Sequence, residues 1–396
     1  MITIAVANRL DGIGEYYFSQ KLREIETLNK QGKQIISLGI GSPDLPPHPD
    51  VIKVLQQEAA RPNTHAYQSY KGSAVLRNAV SSFYQQWYSA TLDPDTEILP
   101  LIGSKEGIMH IGMTYLNNGD GVLIPNPGYP TYRSAVQLAG GVCLPYNLTE
   151  ANHWEPDFEA LEAEVNAYNS KGSGTVKLMW VNYPHMPTGR QASRQLFAQL
   201  IAFGRQHNIL ICHDNPYSFI LNDSPLSILS IEGAKEVAIE LNSLSKASNM
   251  AGWRVGFLAG AKQRIDEVLR FKSNMDSGMF LPVQLAAAAA LNLHKNWYEQ
   301  LNHTYTKRRE LVYELLEALG CTFDRSQAGL FIWARVPETY SDGYALSDEV
   351  LYSKNVFITP GGIFGTNGND YVRVSLCAKE DTIKSALERI QTPSTT

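Results

Sequence analysis

Short apolar runs alternate with longer amphipathic stretches through the middle of the chain. GVLIP (121–125), VKLMWV (176–181), ILICH (209–213), VAIEL (237–241) and WRVGFLAG (253–260) are rich in β-branched residues and are bounded by Pro, Asn, Asp or Ser. Runs this short and this apolar predict strands buried on both faces. Between them lie helical stretches such as 193–207, opened by a Ser193 cap and closed by Asn208. Strand and helix in alternation predict an α/β fold, a doubly wound and mostly parallel sheet with helices on both faces.

From about Pro282 the pattern becomes one long helical stretch ending near Gly320. GLFIWARV (329–336), VFITPG (356–361) and YVRVSL (371–376) follow, separated by acidic and glycine-rich loops, ahead of a last helix from Lys379. This predicts a smaller α+β domain. The first forty-odd residues, helical from Phe18 to Lys30, carry little core and are expected to pack on it. The expected division is 45–285 for the large domain and 1–44 plus 286–396 for the small one. No repeat, low-complexity tract or flexible linker interrupts the chain, so the two share a rigid interface.

Length and composition agree with this picture. At roughly 150 residues per domain, 396 residues allow two domains, and 44% hydrophobic with 18% charged residues suits a large core. The 34 basic and 39 acidic residues leave a charge of −5 without a run of like charges, which gives no footprint for nucleic acid or an anionic membrane. The apolar run Leu285 to Leu291 is far shorter than the ~20 residues that cross a bilayer. MITIAVANRLDGIG at the N-terminus has neither a basic n-region nor an adequate apolar core, so no secretory signal is expected. Cys143, Cys212, Cys321 and Cys377 show no CxxC spacing and are expected as scattered thiols of a reducing cytosol. The histidines form no HxxxH or HExxH pair, so no metal centre is expected. Asn147-Leu148-Thr149 and Asn302-His303-Thr304 match the glycosylation pattern by chance. A soluble cytoplasmic enzyme or binding protein is left.

The chemistry concentrates in SLSKASNMAGWRVG (243–256). Lys246 falls just past a buried strand, and ligands of open α/β sheets bind outside the carboxyl ends of the strands. A lysine held there beside Arg254 acquires a depressed pKa suited to a Schiff base. Ser243, Ser245 and Arg254 together suit a dianionic phosphate. Taken alone, Lys246 is an ordinary solvated lysine at a strand end. Asp214 ends ILICH and precedes Tyr217 by three. A carboxylate there is ordinarily a cap or turn former; beside a Schiff-base lysine, it is what a pyridoxal phosphate ring needs to keep its nitrogen protonated. Gly103-Ser104-Lys105-Glu106-Gly107 enters an apolar helix whose first N–H groups face a phosphate, or serves only as a cap. Walker and GxGxxG spacings are both missing.

LGIGSPDLPP, YQSYKG, IGSKEGI, PNPGYPTY, NYPHMPTG, DNPY, SLSKASNMAGWRVG and YVRVS follow one another between Ser37 and Leu376. In this order they resemble the fold-type I pyridoxal-phosphate aminotransferases of class I/II, most of all the prokaryotic branch with LL-diaminopimelate and alanine-type aminotransferases. The resemblance implies that Lys246 forms the internal aldimine and shuttles the proton, that Asp214 pairs with the pyridine nitrogen and that Tyr217 donates to the phenolic oxygen. It assigns Gly103, Ser104, Lys105, Ser243, Ser245 and Arg254 to the phosphate, Asn182 to the cofactor, and Tyr129 to stacking on the ring. Tyr67 then reaches the phosphate from the neighbouring subunit of a homodimer. Arg373 clamps the substrate α-carboxylate, and Ile40 and Gly41 close over the substrate. The implied reaction is ping-pong amino transfer between an L-amino acid and a 2-oxo acid. The same scaffold also hosts C–S lyases, decarboxylases and ligand-sensing domains.

One position departs from the pattern. Met186 stands before Pro187-Thr188-Gly189, where the family usually has an Asn whose amide donates to the phenolic oxygen. A thioether donates nothing. Tyr16, Tyr17 and Phe18 are candidates for an aromatic lid or for small-domain core.

Overall fold

The alternating pattern is realised in the computed structural model, which describes residues 4–15 and 17–393. In chain order the strands are β1 (Ile36–Ser37), β2 (Ile98–Leu101), β3 (Gly121–Asn126), β4 (Val142–Asn147), β5 (Val176–Asn182) and β6 (Leu210–Asp214). They continue as β7 (Ala238–Ser243), β8 (Gly256–Gly260), β9 (Phe331–Arg335), β10 (Val356–Phe357), β11 (Thr359–Pro360) and β12 (Tyr371–Ser375). Seven of them form the main sheet in the order β2-β8-β7-β6-β5-β3-β4. Its interior is parallel, while β8 runs antiparallel to both β7 and β2.

Period-two alternation sends the side chains of each strand into two cores, as expected of a sheet covered on both faces. Val122, Ile124, Trp180, Cys212 and Ile239 pack on one side, and Leu123, Met179, Val181, Ile211 and Ala238 on the other. The edge strands β2 and β4 are absent from the sequence reading. Each carries a proline, Pro100 and Pro145, and proline is tolerated at a sheet edge because no further strand needs its N–H.

The helix expected over 193–207 is Arg194–His207, with Ser193 Oγ accepting from Leu196 N at 3.0 Å and Asn208 in the left-handed region at φ 56°. The stretch expected as one helix from Pro282 is two, Leu281–Leu291 and Lys295–Ala318. The first carries the LAAAAAL run and packs on α2 (Pro49–Ala59) and α3 (Ala74–Tyr88), which explains a helix apolar on nearly every side.

Residues 17–37 meet the C-terminal elements. Before α2 comes α1 (Tyr17–Lys30), which buries Ile25 against Leu351 and Phe357, and β1 pairs parallel with β10. β11, β12 and β9 form a separate antiparallel sheet. The loop after β1 is tied down by Asp44, which takes a two-pronged ion pair from buried Arg308 at 2.6 and 2.9 Å.

Candidate active site

Three parallel strands end side by side at Asn182, Asp214 and Ser243, with Asn182 in register with Asp214. Next to them α4 (Ser104–Tyr115) begins, capped by Gly103 at φ 87°. A side chain at Gly103 would put its Cβ 2.4 Å from Arg254 Nη2, so glycine lets the helix start approach the arginine. Around these ends lies a cavity of about 420 Å³. Ser104, Lys105, Tyr129, Asn182, Asp214, Tyr217, Ser243, Ser245, Lys246, Arg254, Ile40, Gly41 and Arg373 all line it. The remaining two expected residues do not: Gly103 backs Arg254, and Tyr67 is 91% exposed elsewhere on the surface.

Asp214 is buried, and its Oδ2 accepts from Tyr132 Oη at 2.8 Å while Oδ1 has no partner. Burial pushes its carboxyl up to about 6; the Tyr132 bond, then His213 and Lys246, pull the other way. Behind it, the imidazole of buried His213 spans Glu240 Oε2 (2.9 Å) and the Tyr183 carbonyl (3.0 Å). Glu240 also accepts from Tyr84 Oη and Ser227 Oγ, each at 2.6 Å, and from Ile228 N at 3.1 Å. A buried carboxylate so fully bonded fixes the strand ends rigidly. Asn182 has a structural duty as well as a place in the lining: its Nδ2 donates to the Asp214 carbonyl and its Oδ1 accepts from Met186 N.

Lys246 Nζ donates to the Gly41 carbonyl at 2.7 Å, and burial lowers its pKa, with the Arg373 and Arg254 charges adding to the shift. Arg373 rises from β12 into an aromatic ring of neighbours, its guanidinium carbon 3.8 Å from the Phe331 centroid, 4.6 Å from Phe364 and 5.5 Å from Phe18. Its Nη2 donates to the Gly39 carbonyl at 2.8 Å, and its Nη1 to Met186 Sδ at 3.3 Å. Met186 is therefore an acceptor that orients the arginine, a role the sequence left unassigned.

Tyr132, Phe331, Ser19 and Leu22 line the cavity without having been expected as site residues. Tyr132 lies three after Tyr129 at the start of α5 (Pro130–Leu138), and it stacks on Trp180 at 4.9 Å; that spacing was the available signal. Of the aromatic trio, Phe18 faces the cavity, Tyr17 meets Tyr344 at 6.4 Å, and Tyr16 lies outside the described residues. Elsewhere Glu106, His110 and Asp276 bring ligand atoms within 4.8 Å of one another. There the buried ammonium of Lys272 already donates to Asp276 Oδ1 at 2.7 Å and supplies the cation.

A mostly parallel seven-stranded sheet that gathers a half-buried lysine, an aspartate and a helix start at its strand ends is the architecture of fold-type I pyridoxal-phosphate enzymes. The family model for aminotransferases of class I and II matches residues 33–390, and the chain belongs to that family. It is 40% identical over 387 residues to the LL-diaminopimelate aminotransferase of Halothermothrix orenii, and each chain is covered to 97%. The enzyme of that name from Desulforudis audaxviator gives the same figures. Among solved structures, substrate-bound BacF from Bacillus subtilis superposes with a TM-score of 0.91 at 34% identity over 98% of both chains. The protein is thus a pyridoxal-phosphate-dependent aminotransferase.

The residues present suit the cofactor. The Oδ1 of Asp214 is buried without a partner, and a protonated ring nitrogen would supply the donor it lacks. Hydroxyls, cations and a helix start with no side-chain cap form an anion cradle, closed by Gly256, where a Cβ would stand 2.7 Å from Ser104 N.

Proposed function

We infer that this chain moves an amino group from an L-amino acid to a 2-oxo acid in two half-reactions, with Lys246 as the residue that carries both cofactor attachment and proton transfer. The observation carrying this reading is the half-buried Lys246 amine, bonded to the Gly41 carbonyl and its pKa lowered, in one cavity with Asp214 and Arg373. When bound, pyridoxal phosphate supplies the electron sink. Asp214 keeps the ring nitrogen protonated, and Tyr132 and the His213–Glu240 pair hold Asp214 in place. Tyr217, its hydroxyl pKa raised by burial, stays a donor to the phenolic oxygen at neutral pH. Ser104, Lys105, Ser243, Ser245, Arg254 and the α4 start hold the phosphate, and Tyr129 covers the ring. Lys246, more easily neutral than an exposed lysine, takes and returns the Cα proton. Arg373 receives the α-carboxylate as a planar fork, while Phe331 and Phe364 exclude water around it. Ile40 and Gly41 bound the substrate from the loop after β1.

The reading includes a homodimer in which Tyr67 of each chain completes the other's phosphate site. It is supported by the exposed apolar side chains of Tyr67, Tyr70, Met275 and Phe280, on two stretches that meet where the His65 ring lies 5.6 Å from Phe280 and Gly278 packs on the Gln68 and Ser69 carbonyls. It also includes a division into a cofactor-holding unit over 45–285 and a smaller unit over 1–44 and 286–396. A cytosolic setting is supported by four free thiols. Among the described residues no helix is long and apolar enough to cross a membrane.

Borohydride reduction of the holoenzyme followed by peptide mapping tests the central assignment. Cofactor fixed at Lys246 is expected; label on another lysine overturns it.

A further inference from the structure

The loop between β1 and α2 presents two backbone carbonyls to two cations of the site. Gly39 O accepts from Arg373 Nη2 at 2.8 Å and from Thr359 Oγ1 at 3.0 Å, and Gly41 O accepts from Lys246 Nζ at 2.7 Å. The path of the loop is narrow. A Cβ at Gly39 would run into the Phe357 ring and one at Gly41 into the Phe331 ring, so glycine is needed to thread between them. Both ends are pinned. Leu38 N donates to the Phe357 carbonyl at 2.8 Å and Ser375 N to the Leu38 carbonyl at 2.7 Å. At the far end, Asn249 Nδ2 donates to the Pro46 carbonyl at 3.1 Å.

One side chain ties this loop to the strand that carries Arg373. Arg308, on the helix Lys295–Ala318, gives both prongs to Asp44, and its Nη1 also donates at 3.1 Å to the Leu376 carbonyl, just past the end of β12. A planar guanidinium bonded to both fixes the spacing between loop and strand. Arg308 is 3% exposed within the single chain, so this pairing does not wait on a partner subunit. Neither Arg308 nor Asp44 lines the cavity, and their influence on it runs through the loop backbone.

We propose that Arg308 and Asp44 are positioning residues for amino transfer, their ion pair holding the loop whose Gly39 carbonyl orients Arg373 to receive the α-carboxylate. The inference rests on the reading that Arg373 holds that carboxylate.

Removing one partner of a buried ion pair leaves the other uncompensated and destabilises the fold, whereas removing both is often neutral. The double variant Asp44→Asn/Arg308→Met therefore separates positioning from stability. The holoenzyme is followed by cofactor absorbance in its reaction with L-alanine and its binding of the non-reacting propanoate. The double variant is expected to unfold closer to wild type than Asp44→Asn alone does. Its half-saturating alanine concentration and propanoate dissociation constant are expected to stay raised at least about tenfold, with the limiting rate within about threefold. Wild-type binding in the stable double variant shows a merely structural pair and overturns the proposal, as does a loss confined to the limiting rate. Arg373→Leu checks the underlying reading. Propanoate bound by it as tightly as by wild type removes the Arg373 assignment and this proposal together; weakened binding there, with wild-type binding in the double variant, overturns the positioning role alone. Should alanine not react, the propanoate dissociation constants still decide.

Discussion

At the sheet end of the cavity, Asn182, Asp214 and Ser243 are carried on neighbouring strand termini and braced from behind by the Tyr132 hydroxyl and the His213–Glu240 pair. At the mouth, Phe18, Gly41, Met186, Phe331 and Arg373 arrive from five separate stretches of chain. They are joined by bonds from Lys246 to the Gly41 carbonyl and from Arg373 to the Gly39 carbonyl and the Met186 sulfur. The first region is ordered by the sheet itself, so a change of group at Asp214 is expected to act on the chemistry. The second is ordered by aromatic contact and a few carbonyls, so altering it is expected to act on substrate fit more than on the chemistry.

The largest expected effect is at the sheet end. Lys246→Ala is expected to lose amino transfer by at least about 10²–10⁴-fold, the range of general acid–base catalysis; measured turnover with the best donor checks it, and near wild-type activity would dissolve the distinction between the regions. Asp214→Asn follows, with a loss of roughly 10²–10³-fold. In cofactor-free protein the same change has the opposite sign for stability. The Asp214 carboxyl is raised from an ordinary 3.8 to about 6, so its contribution is intact below pH ~4 and is lost as pH rises through 6, by about 3 kcal/mol. Above that pH the cofactor-free Asn variant is expected to melt higher than wild type, and below about pH 4 the two should coincide.

Tyr67→Phe probes the proposed partner contribution. Loss of one hydrogen bond to a charged phosphate is expected to weaken cofactor binding about tenfold or more, while the exposure of the ring leaves chain stability unchanged. Equilibrium dialysis reads the first and thermal unfolding of cofactor-free protein the second. The smallest rate effect belongs to the mouth. Met186→Asn removes a weak sulfur acceptor from Arg373, and KM for the donor is expected to move within about threefold. Its new amide offers a donor toward the phenolic oxygen, so the pH at which the holoenzyme absorption band changes is expected to fall by about one to two units. An unmoved band would show that another group already donates there.

Legibility in the sequence followed the same boundary. Asp214, Ser243 and Lys246 could be found because each stands at or just past the end of a short, mostly apolar run that reads as a buried strand, and such positions lie at the carboxyl end of the sheet. Tyr132 escaped notice since its partner carboxylate is 82 positions away. The break between Leu291 and Lys295 also passed unseen, because Asn292, Leu293 and His294 keep a helical pattern while the chain turns to pack elsewhere.

By itself the sequence determined the α/β alternation, the Ser193 and Asn208 helix ends, the motif series and hence the family, all of which depend on neighbours within a few residues. Tertiary structure alone decided that Pro100 and Pro145 lie in edge strands, that Met186 serves Arg373, and that Phe18 turns to the cavity while Tyr17 turns to Tyr344. The reason is physical: strand order, the direction of a half-buried ring and the partner of a lone sulfur are set by surfaces brought together across hundreds of residues, and local pattern carries no record of them.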